Sequence, residues 1–133
     1  MPTTALKLRS LSAGLTVANL KNSLKLYTDG LGFTVGHEYK DDNGNVKGVM
    51  LDAGGTGFGI SQDDYAKGRD RVKGLGTRLY LETDQDVTAL AASAKAAGFK
   101  LDEGPGLMPW GPMGFSVTDP DGYKLTITNP SKE

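Results

Sequence analysis

Arg78, Tyr80 and Glu82 stand at two-residue spacing in the stretch RLYLE, interleaved with Leu79 and Leu81. Such alternation is the mark of a half-buried strand with its polar side chains on one face. Arg78 could orient an anion, Glu82 could hold that arginine or act as a general base, and Tyr80 adds a hydroxyl beside them. A mutual salt bridge between Arg78 and Glu82 at a wet rim accounts for the same spacing, and a tyrosine snorkelling at a dimer seam accounts for Tyr80. A second polar face follows the turn in TDPDGYKLTIT, residues 118–128. Pro120 presets one backbone angle and Gly122 can take the positive φ of a tight reversal. Beyond it Tyr123, Leu125 and Ile127 alternate with Lys124, Thr126 and Thr128.

The single tryptophan, Trp110, lies in GPGLMPWGPMGF with Met108 and Met113. Aromatic and thioether side chains in a Pro/Gly loop suit a flat, partly apolar ligand. They can equally plug a gap. Met50 alternates with Val49 and Leu51 and is expected on the same kind of face as the polar residues. The one histidine, His37, cannot build a transition-metal site alone and would need carboxylates such as Glu38 or Asp52. GGTGFG at 54–59 lacks the helix that a phosphate-binding glycine loop requires. KGRDRVKG at 67–74 mixes Asp70 into its basic residues and reads as solvated chain.

Composition removes whole classes of function. There is no cysteine, which excludes disulfides, thiolate nucleophiles and cysteine-ligated zinc or iron–sulfur centres. Fifteen basic and 16 acidic residues give a net charge of −1, so no single-sign field recruits nucleic acid or an anionic membrane. No apolar run approaches the ~18 residues of a membrane span, and no signal peptide is legible. A cytoplasmic location is expected. Nineteen glycines in 133 residues point to many turns and short strands.

Two helices are expected to carry these strands. Asn19 can cap the first, with Leu20, Leu24, Tyr27 and Leu31 as its apolar stripe and Gly30 and Gly32 at its end. The second begins near Asp84, carries Val87, Leu90, Ala94 and Ala97, and ends at Gly98. At a constant spacing of 66 residues, Leu15 matches Leu81, Leu24 matches Leu90, Gly32 matches Gly98, Phe33 matches Phe99 and Leu51 matches Val117. Past the next turn the spacing is 67, pairing Phe58 with Leu125 and Ile60 with Ile127. So many apolar and glycine pairs in register argue for an internal duplication, each copy reading β-α-β-β-β. The expected organisation is one α+β domain over 1–133, with repeats at about 8–60 and 75–129 and an exposed linker at 61–74. One helix covers one face of each sheet. Two curved sheets side by side would make a cup lined by the polar faces, with Thr126 and Lys124 looking in, and a homodimer would cover what is left.

LTVANLKNSLKLYTDGLGF and PWGPMGFSVTDPDGYKLTI, at 15–33 and 109–127, resemble the opening and closing motifs of the vicinal oxygen chelate superfamily, in its glyoxalase and bleomycin-resistance-like branch. The resemblance covers about residues 11–129. It implies paired βαβββ modules forming a cupped eight-stranded mixed sheet with helices on its outer face, and a homodimer. It also implies that the Trp110 loop borders the ligand cleft. In metal-dependent members the cup binds a cation through His, Gln or Glu; those positions fall here on Ser12, Gly59, Arg78 and Thr126. None is a usual ligand and one is a permanent cation, so no metal or other cofactor is expected. The resulting expectation is a metal-free protein that binds, and can thereby sequester, an organic or antibiotic-like small molecule through Trp110, Arg78, Tyr80, Met108, Met50, Thr126 and Lys124. The alternative is an isomerase or lyase working without metal through Glu82, Tyr80 and Arg78. Neither reading involves nucleic acid or membrane.

Overall fold

The computed structural model describes residues 4–69 and 71–130. Its elements run β1 (Gly14–Val17), α1 (Leu20–Leu31), β2 (Thr34–Lys40), β3 (Val46–Ala53), β4 (Thr56–Gln62), β5 (Arg78–Glu82), α2 (Val87–Ala97), β6 (Lys100–Leu107), β7 (Met113–Thr118) and β8 (Lys124–Thr128). This is an α+β fold in which one βαβββ pattern occurs twice. The eight strands divide into two four-stranded sheets, ordered β1-β4-β3-β2 and β5-β8-β7-β6, rather than joining in one sheet within the chain. In each, the first strand runs parallel to the last, Leu15 beside Ile60 and Leu81 beside Ile127, and the remaining pairs are antiparallel.

Local chemistry sets the helices. The Asn19 side chain accepts from the Asn22 N–H, closing the N-terminus of α1, and Gly32 ends it in the left-handed region at φ 76°. The buried face of α1 is Leu20, Ser23, Leu26, Tyr27 and Gly30; Leu24 and Leu31, placed on the stripe from spacing alone, are only half-buried. The reason is α2. At Gly30 an added Cβ would lie 3.0 Å from Ala97 and from Phe99, so the small residues form the helix–helix seam. Helix α2 starts later than Asp84, because Thr83 and Gln85 close a turn first and Asp86 is the cap, accepting from Thr88 and Ala89 N–H.

The two helices pack on each other and share a single core with the apolar faces of both sheets. Tyr27 stands edge-on to Phe33, Phe58 and Phe99, tying the modules together. Its hydroxyl donates to Asp119 of the second module at 2.7 Å. The polar faces therefore turn away from this core, each to its own side. The segment 61–74, expected to be an exposed linker, is exposed at Asp64, at 66–69 and at Val72 but is docked toward both ends. Ser61 and Gln62 belong to β4, the Gln62 side chain bonds both Leu20 N–H and Ala18 C=O, and buried Asp63 binds Arg71 at 3.2 Å and Lys73 at 3.0 Å. Among the described residues no helix is long and apolar enough to cross a membrane.

Candidate functional site

Strand β5 carries Arg78, Tyr80 and Glu82 on its exposed face, with Leu79 and Leu81 packed against the core. The register sets Arg78 beside Lys124, Tyr80 beside Thr126 and Glu82 beside Thr128 on β8. Arg78 does not pair with Glu82; among the described residues no carboxylate lies within ion-pair distance of it. Its Nη1 donates to Thr126 Oγ1 at 2.7 Å instead. That hydroxyl lies 3.0 Å from Ser116 Oγ on β7. Thr126 is 1% exposed and Ser116 4%, so the row is a buried polar track whose outer end is a guanidinium. The expectation that Thr126 looks into open space is thus corrected: Arg78 covers it. A second track crosses the same face, where Lys124 Nζ reaches Thr118 Oγ1 at 3.4 Å and Thr118 donates to Asp102, which also faces Lys100.

Trp110 sits at the tip of a tight turn fastened by Met108 N–H to Pro112 C=O and Gly111 N–H to Met108 C=O. Its ring stands edge-on to Tyr80, 6.4 Å between centroids. Both rings are exposed, 54% and 72%. Met108, by contrast, is buried beneath the turn, so it braces the loop and offers a ligand no surface. Met50 lies on the other sheet, its Sδ 3.2 Å from where a Cβ on Gly59 would stand. The expected set therefore splits within one chain. Arg78, Tyr80, Glu82, Lys124, Thr126 and Trp110 share the face of the β5-β8-β7-β6 sheet, and Met50 belongs to the face of its counterpart.

Two cavities adjoin this region. The larger, about 980 Å³, runs along β5 between the modules and takes Tyr80 and Glu82 into its lining. The smaller, about 380 Å³, lies at the other end of β5 and takes in Arg78 and Lys124. Trp110, Met50 and Thr126 line neither. We take the polar face as the site for the chain's charged chemistry, because the guanidinium and its hydroxyl track lie there.

The four family metal positions do not fit a cation. Thr126 Oγ1 is engaged by the Arg78 guanidinium, Met50 covers Gly59, and Ser12 lies in the segment before β1. Among the described residues no three His, Cys, Asp or Glu side chains cluster to hold a metal, so His37, exposed and edge-on to Tyr39, does not join Glu38 and Asp52 in one. Ser116 was missed by sequence reasoning. Its signal was its place across the 118–124 turn, directly opposite Thr126.

The sequence matches the model of the Glyoxalase/Bleomycin resistance protein/Dioxygenase superfamily over residues 9–127. Solved structures share the fold at low identity. A hypothetical protein from S. aureus aligns with TM-score 0.73 at 19% identity, covering 93% of this chain and 95% of its own. TioX from Micromonospora sp. ML1 aligns with TM-score 0.71 at 18% identity, covering 90% and 96%. A glyoxalase-related enzyme from Fulvimarina pelagi aligns with TM-score 0.73 at 18% identity, covering 92% and 89%. No curated protein matches the chain.

Proposed function

Because the chain belongs to the glyoxalase/bleomycin resistance protein/dioxygenase superfamily, we propose that it is a metal-free binding protein. It holds a flat organic molecule bearing an oxygen acceptor or an anionic group against the face of the β5-β8-β7-β6 sheet. One observation carries this reading. Arg78 is positioned by a buried hydroxyl rather than by a carboxylate, so its charge is held in place with no ion-pair partner among the described residues, beside an exposed aromatic pair. A guanidinium placed in advance is the donor that a planar carbonyl or carboxylate group matches best, and Trp110 and Tyr80 offer the apolar body of the ligand a wall. The donor set at Ser12, Gly59, Arg78 and Thr126 supports a metal-free site on its chemistry alone.

The enzymatic alternative, an isomerase or lyase step with Glu82 as base and Arg78 stabilising an oxyanion, requires both groups to converge on one substrate atom. Arg78 is turned to Thr126, and Glu82 opens onto the larger cavity, which favours binding over catalysis. Titration calorimetry with anionic, neutral and cationic aromatic compounds tests the proposal. Trp110→Ala is expected to weaken binding by about 1–3 kcal/mol, the loss of a large aromatic anchor. Arg78→Met is expected to weaken anionic compounds selectively. If both variants keep full affinity, the sheet face is not the site.

A further inference from the structure

The two modules correspond residue by residue, but the spaces between them are filled unequally. On one side the loop of Asp119–Tyr123 fills the gap between modules. Tyr123 is buried, and its phenol bridges both backbone groups of one residue on the edge strand β1: Thr16 N–H donates to it at 3.2 Å, and it donates to Thr16 C=O at 2.8 Å. Asp121 accepts from Ala18 N–H at 3.0 Å, and Asp119 takes the Tyr27 hydroxyl.

On the other side the counterparts are small. Strand register equates Gly14 and Gly59 with Tyr80 and Thr126, which makes Glu82 the counterpart of Thr16 and Thr56 the counterpart of Tyr123. Ala53 stands for Asp119, and Ala94 stands for Tyr27, since the helix caps Asn19 and Asp86 lie 67 residues apart and the Tyr27 and Ala94 carbonyls accept from the matching Phe33 and Phe99 N–H groups. The 53–56 hairpin is also one residue shorter. The cavity of about 980 Å³ lies where this smaller set faces β5. Phe33, Phe58, Leu79, Leu81 and Leu90 give it an apolar wall. At its edge β5 is the outer strand of its sheet. Thr83 N–H turns inward to Thr128 C=O, so by the alternation of a parallel ladder the N–H and C=O of Glu82 point to the open side. Glu82 and Asp84 supply carboxylates to the lining, and among the described residues no Lys, Arg or His joins them.

We propose that this cavity is a second ligand site, built to take a phenol. The ring would stand where Tyr123 stands in the other half, its hydroxyl would bridge Glu82 N–H and C=O, and the negative potential of Glu82 and Asp84 would favour a ligand with a cationic tail over one with an anionic tail. The volume is at the upper end of ordinary ligand pockets, so the tail has room. This site adjoins the Arg78 face and shares Tyr80 and Glu82 with it; contact with Leu79, Leu81 and Leu90 distinguishes a ligand held here.

The test is an NMR-monitored titration of the full chain with tyramine, phenethylamine and 4-hydroxyphenylacetate. Tyramine is expected to bind saturably, with contacts from its ring to the methyls of Leu79, Leu81 and Leu90. Removing the hydroxyl, in phenethylamine, is expected to weaken binding by about tenfold or more, as is reversing the tail charge in 4-hydroxyphenylacetate. Thr56→Tyr, which places in this half the side chain the other half already has, is expected to abolish tyramine binding and raise the melting temperature. The proposal is overturned if tyramine does not saturate, if phenethylamine binds as well, or if the contacts fall outside the three leucines. The contacts are read on the parent protein, so they decide the matter even where Thr56→Tyr fails to fold.

Discussion

Asp63 concentrates more interactions than any candidate site residue. It accepts from Tyr65 N–H and forms ion pairs with Lys73 and Arg71 while almost fully buried. Those partners, the Lys73 ammonium first, hold its carboxyl at about 2 against the opposing effect of desolvation. A carboxyl depressed below its unfolded value of about 3.9 contributes stability that is present above that value and is lost as the pH falls toward 2. Asp119 works in the opposite sense, since burial raises it, so its ionised form is disfavoured in the folded chain. Asp63→Asn is therefore expected to lower the melting temperature at pH 7 and to flatten the loss of stability between about pH 4 and pH 2. Circular dichroism melts across that range check it; an unchanged acid limb would mean the cluster does not form. Nothing in the sequence marked this residue, because a run as polar as SQDDYAKGRDRVKG reads as solvated whatever its burial. Arg78 and Thr126 were legible as one polar face, since strand alternation carries that information. That the arginine folds down over the threonine was not legible, because alternation fixes a face and says nothing of rotamers.

Among the elements, the helix ends were the most readable. Asn19, Gly32 and Gly98 all stand where their capping chemistry put them. The α1 stripe was misjudged at Leu24 and Leu31 because the contact with α2 calls for a small residue at Gly30, a tertiary demand that spacing does not carry. The β7–β8 turn was recognised from Asp-Pro-Asp-Gly, but its partner was not. Gly74 N–H donates to Asp121 C=O at 3.0 Å, and a Cβ at Gly74 would collide with the backbone of Gly122 and Tyr123. Backbone on both sides leaves no flexible side chain to yield. Gly74→Ala is expected to cost about 2 kcal/mol or more by chemical denaturation. A loss under about 0.5 kcal/mol, ordinary for a surface change, would mean the segment is not seated on the turn.

For the molecule as a whole, the α+β class and the doubled βαβββ pattern were both readable from residues in register. The direction in which the two sheets face was not, since the same repeats can pack through their helices or edge to edge. Here the helices meet, so one chain leaves both polar sheet faces uncovered, together with Leu6, Leu8 and Leu11 ahead of β1. A second copy is the simplest cover for so much exposed apolar and aromatic surface. Light scattering is expected to return about 28 kDa, twice the 14.0 kDa chain. A mass of one chain at every concentration would contradict it.

The bonds from Tyr27 to Asp119 and from Tyr123 to Thr16 cross from one half of the chain to the other. They make the halves poor objects for recombination. A hybrid gene joining this first half to the second half of a distant relative inherits a buried phenol on one side of the joint and needs its acceptor on the other. Such an exchange needs Asp119 to travel with Tyr27, whereas Tyr123 asks only for main-chain groups that any residue but proline supplies, so the unit of inheritance here is the Tyr27–Asp119 pair that spans the joint, not the module.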